Sequence, residues 1–449
     1  MKIKSIHGMG SHLTIDGFDA DSKLLDDEKV IRQVLEELVP LLEMKKLSEP
    51  VVKRGSNQDP ERGITGFVII EESHISIHTY PEKGYVAADI FSCKEFDSEK
   101  ALGHLRDRFN IKRLEKQLSA RGHSHLFEAD KHLEKVQGLK LEKGMKVSDL
   151  LKQYKNLGFQ ATHVGQAVDT IRQMRKDKAV VFFSFTSNMV SSGLRELFAE
   201  MVKKKLVDVI VTSIGSIEED LIKTKKPFLL GSFNADDKDL HKKGINRIGN
   251  VYVPNDRYEL LEDMLIPFFE KMYELQKKEG MMLSPRKTIH ELGKTIEDEN
   301  SIIYWAAKNN IPVFCPAPTD GAFGLQLYFF KQGNPDFGID VTADMKELAD
   351  LTLAADKTGG IILGGGFAKH HIIGVNILRE GLDYAVYVTT ATQYDGSLSG
   401  ARSNEAISWS KLKEEANNVC IEADATVAFP LIAAAVMESL DEEGEDAER

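Results

Sequence analysis

Residues 71–82 read EESHISIHTYPE, and residues 404–412 read NEAISWSKL. The first stretch sets Ser73 directly after two glutamates and follows it with His74, Ser76 and His78. The second sets Lys411 two residues after Trp409, one of only two tryptophans in the chain. A hydroxyl, imidazoles and an amine are the groups of nucleophilic and acid–base chemistry. On a strand, alternation puts Ile75 and Ile77 on one face and His74, Ser76 and His78 on the other. Taken singly, each stretch also has a plain structural reading: a polar strand face turned to water, and a tryptophan packed beside a surface lysine.

The 449 residues are 42% hydrophobic and 29% charged, the balance of a soluble globular protein of two to four domains. A net charge of -12 argues against general nucleic-acid binding, which wants a basic face, and is compatible with small cationic substrates. The longest apolar stretch, VAFPLIAAAVM at 427–437, is shorter than the ~18 residues of a membrane span and holds a proline, so it reads as a buried helix. MKIKSIHGMG has no long apolar run, so no secretory signal is expected. Cys93, Cys315 and Cys420 lie far apart, predicting free thiols, no structural metal and a cytoplasmic setting.

Residues 1–120 predict a small α+β sandwich. HLTIDGFDA reads as strand and turn, and DDEKVIRQVLEELVPLLEMKK as a helix with Val30, Val34, Leu35 and Leu38 at helical spacing. GFVIIEESHISIHTYP and GYVAADIFSC read as two strands turning at KG, and SEKALGHLRDRF as a second helix. Residues 121–143 are charged and read as a linker; His123, His125 and His132 fall here and read as solvated rather than metal-binding. From 144 to 438, AVVFFSFT, VDVIVTS, IPVFCPA, GGIILGGG, YAVYVTT and VCIEADAT alternate with helical stretches. Their nearly continuous apolar character predicts parallel strands in a doubly wound, mostly parallel, Rossmann-like α/β domain. Many of these strands end in polar or glycine-rich residues, which favours a nucleotide site at one rim. Residues 439–449 read as an acidic, disordered tail.

The stretch GITGFVIIEESHISIHTYPEKGYVAADIFSC resembles the processing and active-site region of the prokaryotic S-adenosylmethionine decarboxylase family, over roughly residues 1–120. The resemblance implies self-cleavage at Glu72–Ser73 through an ester, then β-elimination that leaves a pyruvoyl group at Ser73. A ketone there would form a Schiff base with the substrate amine and accept the electrons released with CO2. His78 falls at the family's processing histidine, Thr65 at its processing hydroxyl, Cys93 at the cysteine that reprotonates the substrate carbon, and Glu82 at an acidic residue. Strand parity sets Ser73 and His78 on opposite faces, so a bulge or break at the cleavage point is expected to bring them together. One departure stands out. The family carries an aromatic that stacks on adenine before the processing turn, and VKRGSNQDPERG has none. Ornithine or arginine, the substrates of related pyruvoyl enzymes, are therefore the alternative to S-adenosylmethionine.

Across about 140–440, SNMVSSGLRE, EEDLIK, GINRIGN, TDG, GGG-x-x-KHH, YDGS-x-SGAR and EA-x-SW-x-K resemble deoxyhypusine synthase and the related homospermidine synthase. That resemblance implies NAD-dependent oxidation of an amine, capture of the resulting imine on a lysine, and transfer of an aminobutyl group. Lys411 falls at the nucleophilic lysine, which must be neutral to attack. His370 falls at the catalytic histidine, Glu405 at an amine-holding carboxylate, and Trp409 is expected to wall the amine chain. Ser187, Asn188, Ser213, Glu219, Asp320, Gly365, Thr390, Ala391, Asp395 and Asp424 fall at NAD-contacting positions. Leu325 and Leu398 stand where the family has two aspartates that hold the ends of spermidine. Burying an ammonium without a carboxylate is costly, which points to a shorter or less charged donor.

Together these readings predict a bifunctional polyamine enzyme with a pyruvoyl group and NAD as cofactors. Its partners would be S-adenosylmethionine or small amines, and a translation-factor lysine is one acceptor. No nucleic acid or membrane is expected, and the C-terminal resemblance implies a homo-oligomer, a tetramer. The alternatives are an ornithine or arginine decarboxylase feeding a homospermidine-synthase-like domain, a true deoxyhypusine synthase, and a chain in which one domain is non-catalytic.

Overall fold

The computed structural model describes residues 10–55, 63–121 and 134–447, with side chains as far as 442. His123, His125 and His132 lie outside the described residues, as does most of the SNQDPERG loop. The chain divides into two compact units, Met1–Lys135 and Val136–Arg449.

The first unit is one antiparallel sheet covered on one face by helices. Its strands are β1 (Gly10–Phe18), β2 (Val51–Arg54), β3 (Ile64–Ile70), β4 (Ser73–Tyr80), β5 (Tyr85–Ser92) and β6 (Arg113–Arg121), in the order β2-β3-β4-β5-β1-β6. Helices α1 (Glu28–Leu41) and α2 (Ser98–Phe109) bury Ile31, Leu35 and Leu38, and Leu102, Leu105 and Phe109. They meet Leu13, Ile15, Val68, Ile75, Ile77 and Ile90 in a single core. Asp27 and Asp97 cap the two helices by accepting backbone N–H bonds. Gly66 lets α1 approach closely, because a Cβ there would lie 2.8 Å from Ile31 and Leu35. The stretch expected to be one strand, GFVIIEESHISIHTYP, is two strands. Glu71 and Glu72 form a two-residue turn that pairs Ile70 with Ser73. Alternation in β4 buries Ile75, Ile77 and Thr79 and leaves His74, Ser76, His78 and Tyr80 half-buried on the opposite face.

The second unit holds a six-stranded parallel sheet and a small antiparallel one. The strands are β7 (Val180–Phe185), β8 (Val209–Thr212), β9 (Leu229–Leu230), β10 (Ile245–Ile248), β11 (Val251–Pro254), β12 (Val313–Phe314), β13 (Thr358–Leu363), β14 (Leu382–Thr389) and β15 (Leu412–Glu422). The parallel order is β12-β8-β7-β13-β14-β15, and the small sheet is β10-β11-β9. The chain builds outward from β7 on one side, then restarts at β13 on the other, so the order reverses between β7 and β13. Helices cover both faces, and Phe182, Phe183, Phe185, Ile362 and Tyr387 are buried within the layers. The small sheet, which contains GINRIGN, was not expected. β15 starts at Leu412, well before the apolar VCIEADAT that marked it in the sequence. The helices used below are α3 (Ile214–Lys223), α4 (Ala322–Gly333), α5 (Gly366–Val375), α6 (Ser403–Ile407) and α7 (Ala425–Ala447). The acidic stretch read as a tail continues α7 as far as Ala447. The first-unit sheet and this doubly wound sheet match the expected α/β class.

Candidate active sites

In the first unit, the tip of the β3–β4 hairpin is the candidate processing site. Two-residue hairpin loops favour positive φ within the loop. Here Glu71 and Glu72 do not take it, and Ser73 does, at +152°. That region is essentially reserved for glycine, and a serine held there costs about 1–3 kcal/mol. The twist lets the Ser73 Oγ meet the ring of its own neighbour, His74 Nδ1, at 3.2 Å. The carbonyl oxygen of Glu72, one half of the predicted scissile bond, accepts from the Cys93 backbone N–H at 3.0 Å. An N–H aimed at this oxygen stabilises negative charge that develops on it. His78 lies opposite Thr65 across β3–β4, and Thr65 Oγ1 and His78 Nδ1 are 2.5 Å apart. Burial holds the His78 pKa below the ordinary histidine value. The edge of the Tyr80 ring packs against it with centroids 4.6 Å apart.

The bulge or break expected to bring Ser73 and His78 together is not seen: β4 pairs without a register shift from Ser73 to Tyr80, and the irregularity is the positive φ of Ser73 next to the Glu71–Glu72 turn. It joins Ser73 to His74, and the described hydrogen bonds of His78 run to Thr65 instead. Cys93 is exposed just beyond β5, and Glu82 is exposed in the turn between β4 and β5. His74, to which the sequence assigned no role, stacks on Phe67 (centroids 5.2 Å) and meets Phe91 edge-on (5.9 Å).

In the second unit, a cavity of about 480 Å³ opens at the carboxyl ends of β7, β13, β14 and β15. This is the strand-order reversal, where open α/β sheets bind ligands. Asn188, Gly365, Thr390, Ala391 and Asp424 line it, with Thr186, Ser191, Ser192 and Thr426. A Cβ at Gly365 would lie 2.5 Å from Ser399, so only glycine lets these two loops meet. The size, small side chains, hydroxyls and single exposed carboxylate of Asp424 fit a dinucleotide. Five predicted contacts do not line this cavity. Ser187 begins the short helix after β7, and Ser213 caps α3 with its Oγ 3.2 Å from Ser216. Glu219 is buried and accepts from Ser191 Oγ at 2.6 Å, and burial raises its pKa to about 7. Asp320 and Asp395 are exposed, and Asp395 accepts from the Ser397 N–H.

A second cavity, about 230 Å³, gathers His370, Glu405, Trp409 and Lys411. Three elements supply them: α5, α6 and the turn into β15. Ser410 takes a left-handed φ of 53°. Around it the N–H groups of Ser410 and Lys411 bond back to the carbonyls of Ile407 and Ala406. This glycine-like helix ending folds the chain so that Trp409 and Lys411 face one space. Lys411 Nζ lies 5.1 Å from the Trp409 ring centroid. Leu398 lines the same cavity, whereas Leu325 is 53% exposed on α4.

Among the lining residues without a predicted role, three carry polar side chains: Lys369, Tyr387 and Arg402. Lys369 is buried, donates to the carbonyls of Leu398 (2.8 Å) and Ala401 (2.7 Å), and lies 4.5 Å from the Tyr387 ring centroid. Burial lowers its pKa to about 8. It fastens the loop carrying Leu398 to α5. Arg402 is held by Glu422 and Cys420. GGG-x-x-KHH and SGAR contain Lys369 and Arg402, so the motifs themselves were the available signal. Tyr387 is hidden in the continuous apolar run of β14.

Residues 149–436 match the family model of deoxyhypusine synthase, and residues 11–122 match that of S-adenosylmethionine decarboxylase. A protein of Thermococcus gammatolerans named "Probable deoxyhypusine synthase" is 47% identical over 317 residues, covering 68% of this chain and 94% of its own.

The chain belongs to the deoxyhypusine synthase family.

Its first unit is a fused domain of the S-adenosylmethionine decarboxylase family. A second relative of the same name, from Methanocaldococcus jannaschii, is 48% identical over 67% of this chain and 96% of its own. A crystal structure from Entamoeba histolytica, described as a candidate deoxyhypusine synthase, is 30% identical with a TM-score of 0.50, covering 67% of this chain and 96% of that one.

Proposed function

We propose that the chain is a bifunctional polyamine-pathway enzyme. Its first unit cuts itself between Glu72 and Ser73 and decarboxylates S-adenosylmethionine. Its second unit transfers an aminobutyl group through a covalent adduct on Lys411, with NAD as oxidant. The observation that carries the transferase reading is the convergence of Lys411, His370, Glu405 and Trp409 on one cavity. For the first unit it is the strained Ser73 beside a carbonyl that accepts from the Cys93 N–H.

The pyruvoyl ketone, once formed, supplies an electron sink for decarboxylation. The 480 Å³ cavity would hold NAD, which would supply the two-electron oxidant for the amine carbon. Around these, the chain's own groups bind and move protons. Glu405 pairs with a substrate ammonium, His370 takes the proton at the carbon–nitrogen centre, and Trp409 offers an apolar wall along the amine chain beside Lys411. Phe67, 38% exposed and stacked on His74, offers an aromatic surface on the neighbour of Ser73 and supports S-adenosylmethionine although the preceding loop lacks an aromatic. Identity of 47–48% with proteins named for deoxyhypusine synthase supports a translation-factor lysine as the acceptor. Free Cys93, Cys315 and Cys420 suit a cytoplasmic protein, and we expect a homo-oligomer.

A second reading rests on Leu398, which removes a carboxylate from the amine cavity. There the first unit decarboxylates ornithine or arginine and the second acts as a homospermidine synthase. Two assays separate them. A decarboxylation panel of S-adenosylmethionine, ornithine and arginine tests the first unit. Labelled spermidine or putrescine with NAD, with and without the translation factor, followed by borohydride, tests the second. Label fixed on Lys411 only in the presence of NAD supports aminobutyl transfer; no fixation with any donor contradicts it.

A further inference from the structure

Self-cleavage needs two proton acceptors at different moments: one for the Ser73 hydroxyl as it attacks, one for the Ser73 Cα–H during elimination. His78 does not reach the Ser73 hydroxyl within this chain: it lies five residues further along the regularly paired β4, roughly 16 Å away at ~3.3 Å per residue, with its Nδ1 on Thr65 Oγ1. We propose that His74 is the base that activates Ser73 for attack on the Glu72 carbonyl, leaving only the elimination step to the base role that the family resemblance gives His78. This inference rests on the processing reading given above.

Four observations on the hairpin carry it. Ser73 Oγ lies 3.2 Å from His74 Nδ1, the contact that its +152° φ creates between adjacent residues. The His74 ring is fixed by Phe67 on one side and by the edge of Phe91 on another. The carbonyl under attack is held by the Cys93 N–H at 3.0 Å. The charged and titratable groups facing His74 are His12 of β1, Asp89 of β5 and Arg121 of β6. His12 Nε2 already pairs with Asp89 Oδ1 at 3.1 Å, which draws that carboxylate away from His74. Burial, His12 and Arg121 outweigh Asp89 and lower the His74 pKa, so its lone pair is free at neutral pH.

His74 Nδ1 takes the hydroxyl proton as Ser73 Oγ bonds to the Glu72 carbonyl carbon. The carbon–nitrogen bond then breaks, and the proton passes from His74 to the departing Ser73 nitrogen. The product is an ester between Glu72 and Ser73 Oγ with a free amine on Ser73. A base, the role that the family resemblance gives His78, then takes the Cα proton and the Glu72 carboxylate leaves. Water hydrolyses the resulting enamine, in its imine form, to the ketone and releases ammonia.

The test follows cleavage of the full chain by denaturing electrophoresis, with hydroxylamine to reveal the ester. His74→Phe keeps a ring to stack on Phe67 and removes the acceptor. It should slow cleavage on the order of 10²–10⁴-fold and leave no hydroxylamine-sensitive ester. His78→Ala should instead accumulate a chain that hydroxylamine cuts after Glu72. His74→Gln, with added imidazole restoring cleavage, keeps the test decisive if the phenylalanine variant does not fold. Wild-type cleavage in both His74 variants overturns the assignment. So does slow cleavage with ester accumulating, which would move His74 to the elimination step. A wild-type chain that is never cut would sink the processing reading itself rather than the division of labour between the histidines.

Discussion

In the proposed transferase, Leu398 is the residue on which donor choice would turn. It lines the same cavity as Glu405. A hydrogen bond to a charged group contributes about 1.5–3 kcal/mol, and 1.4 kcal/mol is about tenfold in affinity. Leu398→Asp should therefore lower the KM for a triamine donor by roughly tenfold or more, with a smaller effect on a diamine. An unchanged ratio between the two donors would mean that Leu398 does not face the amine chain. Leu325 is different: it stands exposed on α4, so Leu325→Asp alone should leave the donor KM of one isolated site little changed. Lys411→Arg keeps a cation but removes a capturing amine. It should abolish NAD-dependent borohydride fixation of labelled donor, and residual fixation would assign the nucleophile elsewhere.

At the level of elements, the hairpin β3–β4 must be seated firmly for Ser73 to stay strained. α1 provides that seat through Gly66. Gly66→Val would push its side chain into Ile31 and Leu35 and should cost about 1–3 kcal/mol. A lower thermal midpoint together with slower self-cleavage is the expected result; normal cleavage would show that the hairpin does not depend on α1. The alternation of β4 and the apolar runs of β7, β13 and β14 made these elements legible from sequence. The hairpin was not, because Glu71–Glu72 carries none of the glycine, asparagine or aspartate that marks such turns. β15 escaped at its start because KEEANN is polar, although it directly follows Lys411. Of the site, His370, Glu405, Trp409 and Lys411 were readable from their motifs. Sequence could not tell that Leu398 faces the cavity while Leu325 faces outward, nor that half of the expected nucleotide contacts lie off the cavity wall.

At the scale of the whole molecule, Glu219 is a buried carboxylate that links stability to pH. Glu219 titrates near 7 in the folded chain against an ordinary 4.5, with burial as the main cause. Between these values the folded state keeps a proton that the unfolded state has lost. Stability therefore falls as pH rises through that window, by about 3 kcal/mol at most. Denaturant unfolding without NAD should show Glu219→Gln more stable than wild type at pH 8 and equal to it at pH 4. A difference independent of pH would contradict this. The two units share one premise: each acts through a reactive group that the chain itself provides, a ketone made from Ser73 and the amine of Lys411. The most direct test of that premise is the intact mass of the purified protein under denaturing conditions. The account predicts two polypeptides, a short one ending at Glu72 and a long one whose first residue is a ketone that reacts with hydrazide. A single uncut polypeptide with serine at position 73 would contradict it.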